Sequence, residues 1–423
     1  MMRTPTTTNK RPSSTMSGEV PFRISVSDEE LFLLQKKLDL ARFPDELSNS
    51  GWKYGVPLQD IQRLAERWKS GYDWRSEEAK LNDELPQFTR DIHVEGHGTL
   101  IIHYVHQRSA VAAAIPLLFV HGWPGSFIEV RKILPLLIQS SPKHPSFHVV
   151  ALSLPGYGFS EAPYKPGFRA VQYAEIGNKL MLALGYPEYV TQGGDWGFMV
   201  TRKIAEVYGI VHSKAWHTNM PGGFPPAFSR EPLLYLRQLL TPYTAAEKTG
   251  LARSAWFAKH GMGYFREQST QPQTLGYSLA DSPVGLLAWI YEKLVNWTDN
   301  YPWTDDEVLT WISIYYFSRA GPASSVRIYY EMMQDKEKVI KPLTPFGVSR
   351  FPKELNIRPR LWTRTVGNLV FEAEHSAGGH FAAYEKPKSL VGDLRKMFGK
   401  GGPAYGVVNG QKGYERVGTK AKL

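Results

Sequence analysis

Apolar and polar positions alternate through the middle of the chain in a way that predicts strands and helices in turn. Short apolar runs are typical of buried strands, and longer stretches with apolar residues three or four positions apart are typical of helices. Strands are predicted near 100–105, 115–120, 147–153 and 189–192, with helices near 126–138 and 170–184. Because strands and helices alternate, we expect an α/β fold with a mainly parallel sheet covered on both faces.

A different pattern precedes and interrupts this region. Ser27 to Leu40 has acidic residues in a first turn and apolar residues at helical spacing, which predicts a helix with Ser27 as its N-cap. A second helix is predicted near 57–69. Between about 223 and 342 the alternation stops, and a helical, aromatic-rich stretch predicts a lid inserted into the sheet domain.

Beyond the predicted lid, the sheet is expected to resume with 346–351 and 361–371, followed by a last helix near 385–398. These patterns divide the chain into six segments. They are a disordered tail (1–18), an N-terminal meander (19–98), the first part of the core (99–222), the lid (223–342), the second part of the core (343–398) and a flexible C-terminal tail (399–423).

The formal charge of +10 lies at the two ends of the chain. Residues 1–18 carry +3 and residues 386–423 carry +7, so the body between them is neutral and no nucleic-acid partner is expected. No secretory signal is visible, and the longest apolar stretch is too short to span a bilayer, so no stable membrane insertion is expected. The absence of cysteine fits a reducing compartment, and we expect a soluble, cytoplasmic protein.

A pentapeptide with two flanking glycines, Gly193-Gly-Asp-Trp-Gly197, follows the strand-like run that ends at Gln192 and precedes a helix-like run. A strand, tight turn and helix of this kind form the nucleophile elbow of an α/β-hydrolase fold, and Asp195 stands where esterases carry serine. Upstream, His121-Gly-Trp-Pro124 occupies the position of an oxyanion loop. The backbone N–H groups of Trp123 and Trp196 are therefore the expected oxyanion hole, and His121 is expected to hold the loop.

A catalytic base and its orienting acid are expected after the nucleophile in this fold, in the order nucleophile, acid, histidine. His380, in a glycine-rich loop between a predicted strand and the final helix, is the predicted base. Glu354 is the predicted acid because it directly follows the predicted strand 346–351. Glu372 and Glu374, at the end of the next strand, are the alternatives.

A carboxylate nucleophile restricts the chemistry that this site can perform. Attack by Asp195 on an electrophilic sp³ carbon gives an alkyl ester, which water activated by His380 then hydrolyses. Epoxides and alkyl halides fit this scheme. An epoxide oxygen also needs a proton donor, such as a phenol, and the predicted lid contains ten tyrosines.

Several motifs together resemble the microsomal-type epoxide hydrolases, especially their soluble fungal members. The resemblance covers about residues 20–398 and includes the oxyanion loop, the elbow and the glycine-rich loop of His380. It also includes Pro352-Lys-Glu-Leu355 around the acid and an N-terminal region that dehalogenases lack.

The resemblance implies an enzyme that converts epoxides to vicinal diols, with a small-molecule epoxide and water as its partners. It identifies Tyr264 and Tyr329 as the ring-opening tyrosines, with Tyr330 as the competitor of the second. It further implies no metal, no organic cofactor and a possible homodimer. A haloalkane or haloacid dehalogenase using Asp195, and a non-catalytic binding protein of the same fold, are the alternative readings.

Overall fold

A computed structural model describes residues 18–337 and 340–415, so most of the predicted tail at 1–18 lies outside the described residues. Its centre is a nine-stranded sheet. In chain order the strands are β1 (Val20–Phe22), β2 (Gln87–Val94), β3 (Gly98–Gln107), β4 (Ile115–Val120), β5 (Phe147–Leu152), β6 (Tyr189–Gly193), β7 (Ser213–Thr218), β8 (Pro345–Arg350) and β9 (Asn368–Glu374).

The strand order across the sheet is β1-β2-β3-β5-β4-β6-β7-β8-β9. The first three pairings are antiparallel, and every pairing from β5 to β9 is parallel. Strands β4 and β5 are buried at every position, as expected for central strands covered on both faces. The carboxyl ends of β4, β6, β8 and β9 therefore meet at one edge of the sheet, which is where open α/β sheets bind ligands.

Sixteen α-helices lie within the described residues, together with 3₁₀ helices at Gly51–Tyr54, Phe127–Lys132 and Ser324–Val326. Six precede the lid: α1 (Asp28–Asp39), α2 (Leu58–Ser70), α3 (Trp74–Glu84), α4 (Leu134–Leu137), α5 (Ala170–Ala183) and α6 (Trp196–Tyr208). Seven form the lid: α7 (Pro232–Leu240), α8 (Ala245–His260), α9 (Gly263–Thr270), α10 (Pro272–Asp281), α11 (Pro283–Asn296), α12 (Asp305–Tyr316) and α13 (Arg327–Met333). Three follow it: α14 (Arg360–Thr363), α15 (Ala382–Glu385) and α16 (Pro387–Phe398).

The N-terminal segment contributes two strands to the sheet, whereas the predicted meander contributed none. The Ser27 N-cap of α1 is confirmed, because its side chain accepts a hydrogen bond from the Glu30 N–H at 3.2 Å. However, β1 and β2 extend the main sheet by two antiparallel strands, so the sheet does not begin at residue 99. The meander prediction missed β2 because its alternating pattern, with one exposed face, is weaker than a continuous apolar run.

Two predicted elements near the site differ from the structure. The stretch predicted as a helix at 126–138 is a 3₁₀ helix, Phe127–Lys132, followed by the short α4. The stretch predicted as a strand at 361–371 is divided between α14 and β9, because a turn separates the two. Apolar residues alone do not distinguish a short helix from a buried strand.

The C-terminal segment was expected to be a flexible tail from residue 399, and this expectation was wrong up to Glu415. Ala404 and Val408 are buried in the main core. The Gly413 N–H donates to the Ala113 carbonyl at 2.7 Å, and the Gly413 carbonyl accepts from the Ser146 N–H at 2.8 Å. Two apolar side chains and these hydrogen bonds hold a segment that its glycines and lysines made appear loose.

None of the described helices combines the length and the apolar character needed to cross a bilayer.

Candidate active site

Asp195 lies at the sharp turn between β6 and α6. Its backbone has φ 51° and ψ −127°, a conformation that non-glycine residues adopt rarely. The turn needs flanking glycines because a Cβ at Gly197 would lie 2.0 Å from the Val120 carbonyl oxygen, and a Cβ at Gly193 would lie 2.5 Å from the Gly197 oxygen. The predicted elbow is thus present, between the carboxyl end of β6 and the start of α6.

The loop after β4 brings a backbone donor to this carboxylate. The Trp123 N–H donates to Asp195 Oδ1 at 2.8 Å. Helix α12 of the lid holds the loop, because Trp311 Nε1 donates to the Pro124 carbonyl at 2.5 Å and the Tyr315 hydroxyl to the Gly125 carbonyl at 2.6 Å. The Trp196 N–H is the first of α6 and therefore has no partner within the helix, as an oxyanion donor requires.

His380 lies between Asp195 and Glu354. Its Nε2 is 3.5 Å from Asp195 Oδ2, and its Nδ1 donates to Glu354 Oε1 at 2.7 Å. Both carboxyl groups and the imidazole come from loops at the same edge of the sheet, after β6, β8 and β9. Burial opposes a charge on His380, but the carboxylates of Glu354 and Asp195 outweigh this effect and raise its pKa well above 6.5.

The two alternative acids point elsewhere. Glu372 pairs with Arg350 at 2.5 Å, and Glu374 pairs with Arg360 on the surface. Glu354 is instead almost fully buried, with 1% of its surface exposed. The structure therefore brings Glu354 to His380 and leaves the other two in ion pairs on β9.

Contacts from the lid hold the acid and base loops, and the sequence did not reveal them. Arg253 of α8 donates to the carbonyls of Glu354 at 2.9 Å and Lys353 at 2.6 Å. The His380 N–H donates to the Trp297 carbonyl at 2.9 Å. Arginine and tryptophan at these positions carry no motif, and only the approach of the lid to the sheet edge gives them this role.

Tyr264 and Tyr329 are buried side by side near Asp195. Their rings are 5.8 Å apart, and both contact Trp123, at 5.3 and 5.6 Å between ring centroids. Tyr329 is 1% exposed, whereas the neighbouring Tyr330 is 41% exposed. Burial, together with the nearby charge of Asp195, raises the pKa of both buried phenols well above 10, so they remain protonated.

A cavity of about 510 Å³ opens from Asp195 between the core and the lid. Asp195, Tyr264 and Tyr329 line it together, and most of its other lining residues are apolar. Among them are Met199, Met220, Leu251, Phe257, Met262 and Leu355. A large, mostly apolar cavity with a few polar groups at one end is typical of a small-molecule site.

His121 has the structural position expected from the sequence. Its Nδ1 donates to the Gly122 carbonyl at 2.9 Å, and its Nε2 accepts from the Leu154 N–H at 3.2 Å. Burial lowers its pKa to about 4, so the ring is neutral. Within residues 18–337 and 340–415, no group of three or more histidine and carboxylate side chains is arranged to ligate a metal ion.

Two known families match parts of this chain. Residues 19–130 match the family described as "Epoxide hydrolase N terminus", and residues 115–218 match the family described as "alpha/beta hydrolase fold". The chain is 35% identical to epoxide hydrolase 1 of Sus scrofa over 430 residues, which cover 92% of this chain and 90% of that protein.

Solved structures of epoxide hydrolases are similar over nearly the whole chain. The Aspergillus niger enzyme is 36% identical with a TM-score of 0.78, covering 91% of this chain and 97% of that one. The juvenile hormone epoxide hydrolase of Bombyx mori is 30% identical with a TM-score of 0.80, covering 90% and 93%. With its α/β-hydrolase fold and these relatives, the chain belongs to the microsomal-type epoxide hydrolase family.

Proposed function

We propose that the chain hydrolyses epoxides to vicinal diols through a covalent ester on Asp195. Because the Trp123 N–H holds Oδ1, the remaining oxygen, Oδ2, attacks a ring carbon from the 510 Å³ cavity. The carbon–oxygen bond of the ring breaks as the ester bond forms. The single observation that carries this proposal is a carboxylate lying between a histidine–glutamate pair and two buried phenols.

Ring opening requires a proton for the leaving oxygen, and Tyr264 and Tyr329 are the proposed donors. Their burial keeps both phenols protonated before reaction, so both are able to bind the epoxide oxygen. The negative charge of Asp195 raises both pKa values. That charge disappears when the ester forms, so proton transfer to the alkoxide becomes more favourable as the reaction proceeds.

Hydrolysis of the ester follows with His380 as the general base. Water attacks the Asp195 carbonyl carbon and gives a proton to His380 Nε2, and Glu354 stabilises the imidazolium through the 2.7 Å hydrogen bond. The N–H groups of Trp123 and Trp196 hold the oxyanion. Expulsion of the diol oxygen, which takes its proton from His380, leaves Asp195 protonated. The Asp195 carboxyl group then transfers this proton to the tyrosinate that ring opening produced, which restores the phenol.

The substrate class is proposed from the cavity. Its methionine, leucine and phenylalanine lining favours lipophilic epoxides, and its volume suits molecules of drug size. We therefore propose that aryl-substituted epoxides are turned over faster than small aliphatic epoxides of equal ring reactivity.

Intact-mass analysis with an aryl epoxide tests the proposal. Asp195→Asn is expected to abolish diol formation. His380→Gln is expected to complete one alkylation and retain an ester on Asp195, located by peptide mapping. A single turnover of the unmodified enzyme in H₂¹⁸O should place the label in Asp195 rather than in the diol. Label in the diol, or an adduct on another residue, would contradict the mechanism.

A further inference from the structure

A second, much smaller cavity also reaches Asp195. It is about 10 Å³ in volume, measured as space for the centre of a water molecule, which is roughly the room that one water needs. Asp195, His380, Trp123, Asn219 and Glu129 are among its lining residues. Tyr264 and Tyr329 line only the 510 Å³ cavity, so Asp195 is accessible from two separate spaces.

Glu129 is an unusual residue to find at this position. It lies in the 3₁₀ helix Phe127–Lys132, among the buried side chains of Phe127, Ile128 and Val130. Gly125 leaves the room that its carboxyl group occupies, because a Cβ there would lie 1.7 Å from Glu129 Oε1. Two local features of the chain, a short helix and a glycine, thus direct a carboxyl group into the cavity.

No ion pair between described residues accounts for the presence of Glu129. Among the ion pairs of the described residues, none joins it to a lysine or an arginine. Burial raises its pKa to about 8, and the charge of Asp195 acts in the same direction, although His380 and a hydrogen bond with the Ser126 backbone oppose both. Glu129 is partly buried, and a carboxyl group that is removed from water without a cationic partner is unfavourable for stability, so its position suggests a role in the reaction.

The other polar groups around the small cavity already have partners. Asn219 Oδ1 accepts from Gln192 Nε2 at 2.9 Å, and Asn219 Nδ2 donates to the His380 carbonyl at 3.2 Å. The Trp123 N–H donates to Asp195. Glu129 is therefore the lining side chain whose carboxyl group is best placed to bind a water molecule beside Asp195 and His380.

We propose that the small cavity holds the water that hydrolyses the Asp195 ester, and that Glu129 is the positioning residue for this water. The inference rests on the proposed mechanism above. One O–H of the water points to His380 Nε2 and transfers its proton there as the oxygen attacks the Asp195 carbonyl carbon. The second O–H is bound by the Glu129 carboxyl group and remains on the oxygen.

This arrangement separates the two reactants. The epoxide approaches Asp195 from the 510 Å³ cavity, and the water approaches from the small cavity, which Tyr264 and Tyr329 do not line. Bound substrate therefore does not displace the water, and the water does not compete for the ring carbon. Orientation of one water at a fixed place supplies part of the rate of the second step without affecting the first.

Glu129→Leu and Glu129→Gln, compared by rapid mixing with an aryl epoxide, test the inference. Leucine is similar in size but binds no water, so ester hydrolysis should slow by about tenfold or more while alkylation stays within about threefold of the unmodified enzyme. Ester should then accumulate on Asp195 in the steady state. Glutamine keeps an oxygen that accepts from water, so Glu129→Gln should restore most of the hydrolysis rate.

Glu84→Gln is the matched control, because Glu84 pairs with Arg131 on the outer face of the same 3₁₀ helix. It should alter neither step. Unchanged ester hydrolysis in Glu129→Leu would overturn the role of Glu129. Equal slowing of alkylation and hydrolysis in both Glu129 variants would also overturn it, because such a result indicates a purely structural role. Absence of an ester on Asp195 in His380→Gln would instead refute the proposed mechanism.

Discussion

Replacement of Glu354 by glutamine removes the charge that supports His380 while keeping the size of the side chain. Glu354 Oε1 accepts from His380 Nδ1 at 2.7 Å and from the Leu355 N–H at 2.6 Å. An amide retains an oxygen for these donors, but it does not stabilise the imidazolium that forms when His380 takes a proton from water. The variant therefore isolates the electrostatic part of the interaction.

The size of the effect follows from the separation of the two charges. With about 4 Å between the charge centres and an effective dielectric constant of about 20, a unit pair contributes about 4 kcal/mol. Since about 1.4 kcal/mol is a factor of ten in rate, ester hydrolysis should slow by about 10³-fold. Alkylation of Asp195 should change little, because that step does not require His380 to accept a proton.

Rapid mixing with an aryl epoxide measures both steps, since Trp123 and Trp196 adjoin Asp195 and their fluorescence should report ester formation and loss. Glu374→Gln is the control, because this alternative acid is paired with Arg360 on the surface. Hydrolysis at the unmodified rate in Glu354→Gln, or an equal loss in Glu374→Gln, would refute the assignment of the acid. The pH midpoint of the residual hydrolysis should move lower, since Glu354 raises the pKa of His380.

Further outcomes concern proton donation, the lid, pH and the C-terminal segment. Combining Tyr264→Phe with Tyr329→Phe should slow alkylation by about 10²-fold or more in rapid mixing, and an unchanged rate would exclude phenol catalysis. Arg253→Met should remove two hydrogen bonds to the acid loop and slow ester hydrolysis more than alkylation in the same assay. In the ester, Asp195 is neutral, so the His380 pKa should be lower than in the free enzyme. Because His380 must be neutral to act as a base, the rate of single-turnover ester hydrolysis should rise with pH to a plateau. A midpoint at or above the pKa of His380 in the free enzyme would contradict the expected lowering. Val408→Asp should lower the free energy of unfolding in urea by about 2–3 kcal/mol, whereas a loose tail predicts no change.

The sequence by itself determined those features that depend on neighbouring residues. Apolar runs predicted the central strands, Ser27 predicted the start of α1, and glycines around Asp195 predicted the elbow. Chain order and resemblance pointed to His380 and Glu354, which the structure brings within hydrogen-bond distance of each other. Such features are local because backbone sterics, capping and the period of burial act over a few residues.

Only the tertiary structure decided which residues from distant parts of the chain contact each other. Arg253 contacts the acid loop across a separation of 101 residues. Gly125 and Glu129, which follow β4, line the same small cavity as Asp195, which follows β6. Val408 is buried in a segment whose composition predicted a tail. Contacts of this kind depend on how the lid and loops pack on the sheet. They produce no periodic pattern of residues in the sequence from which they could be predicted.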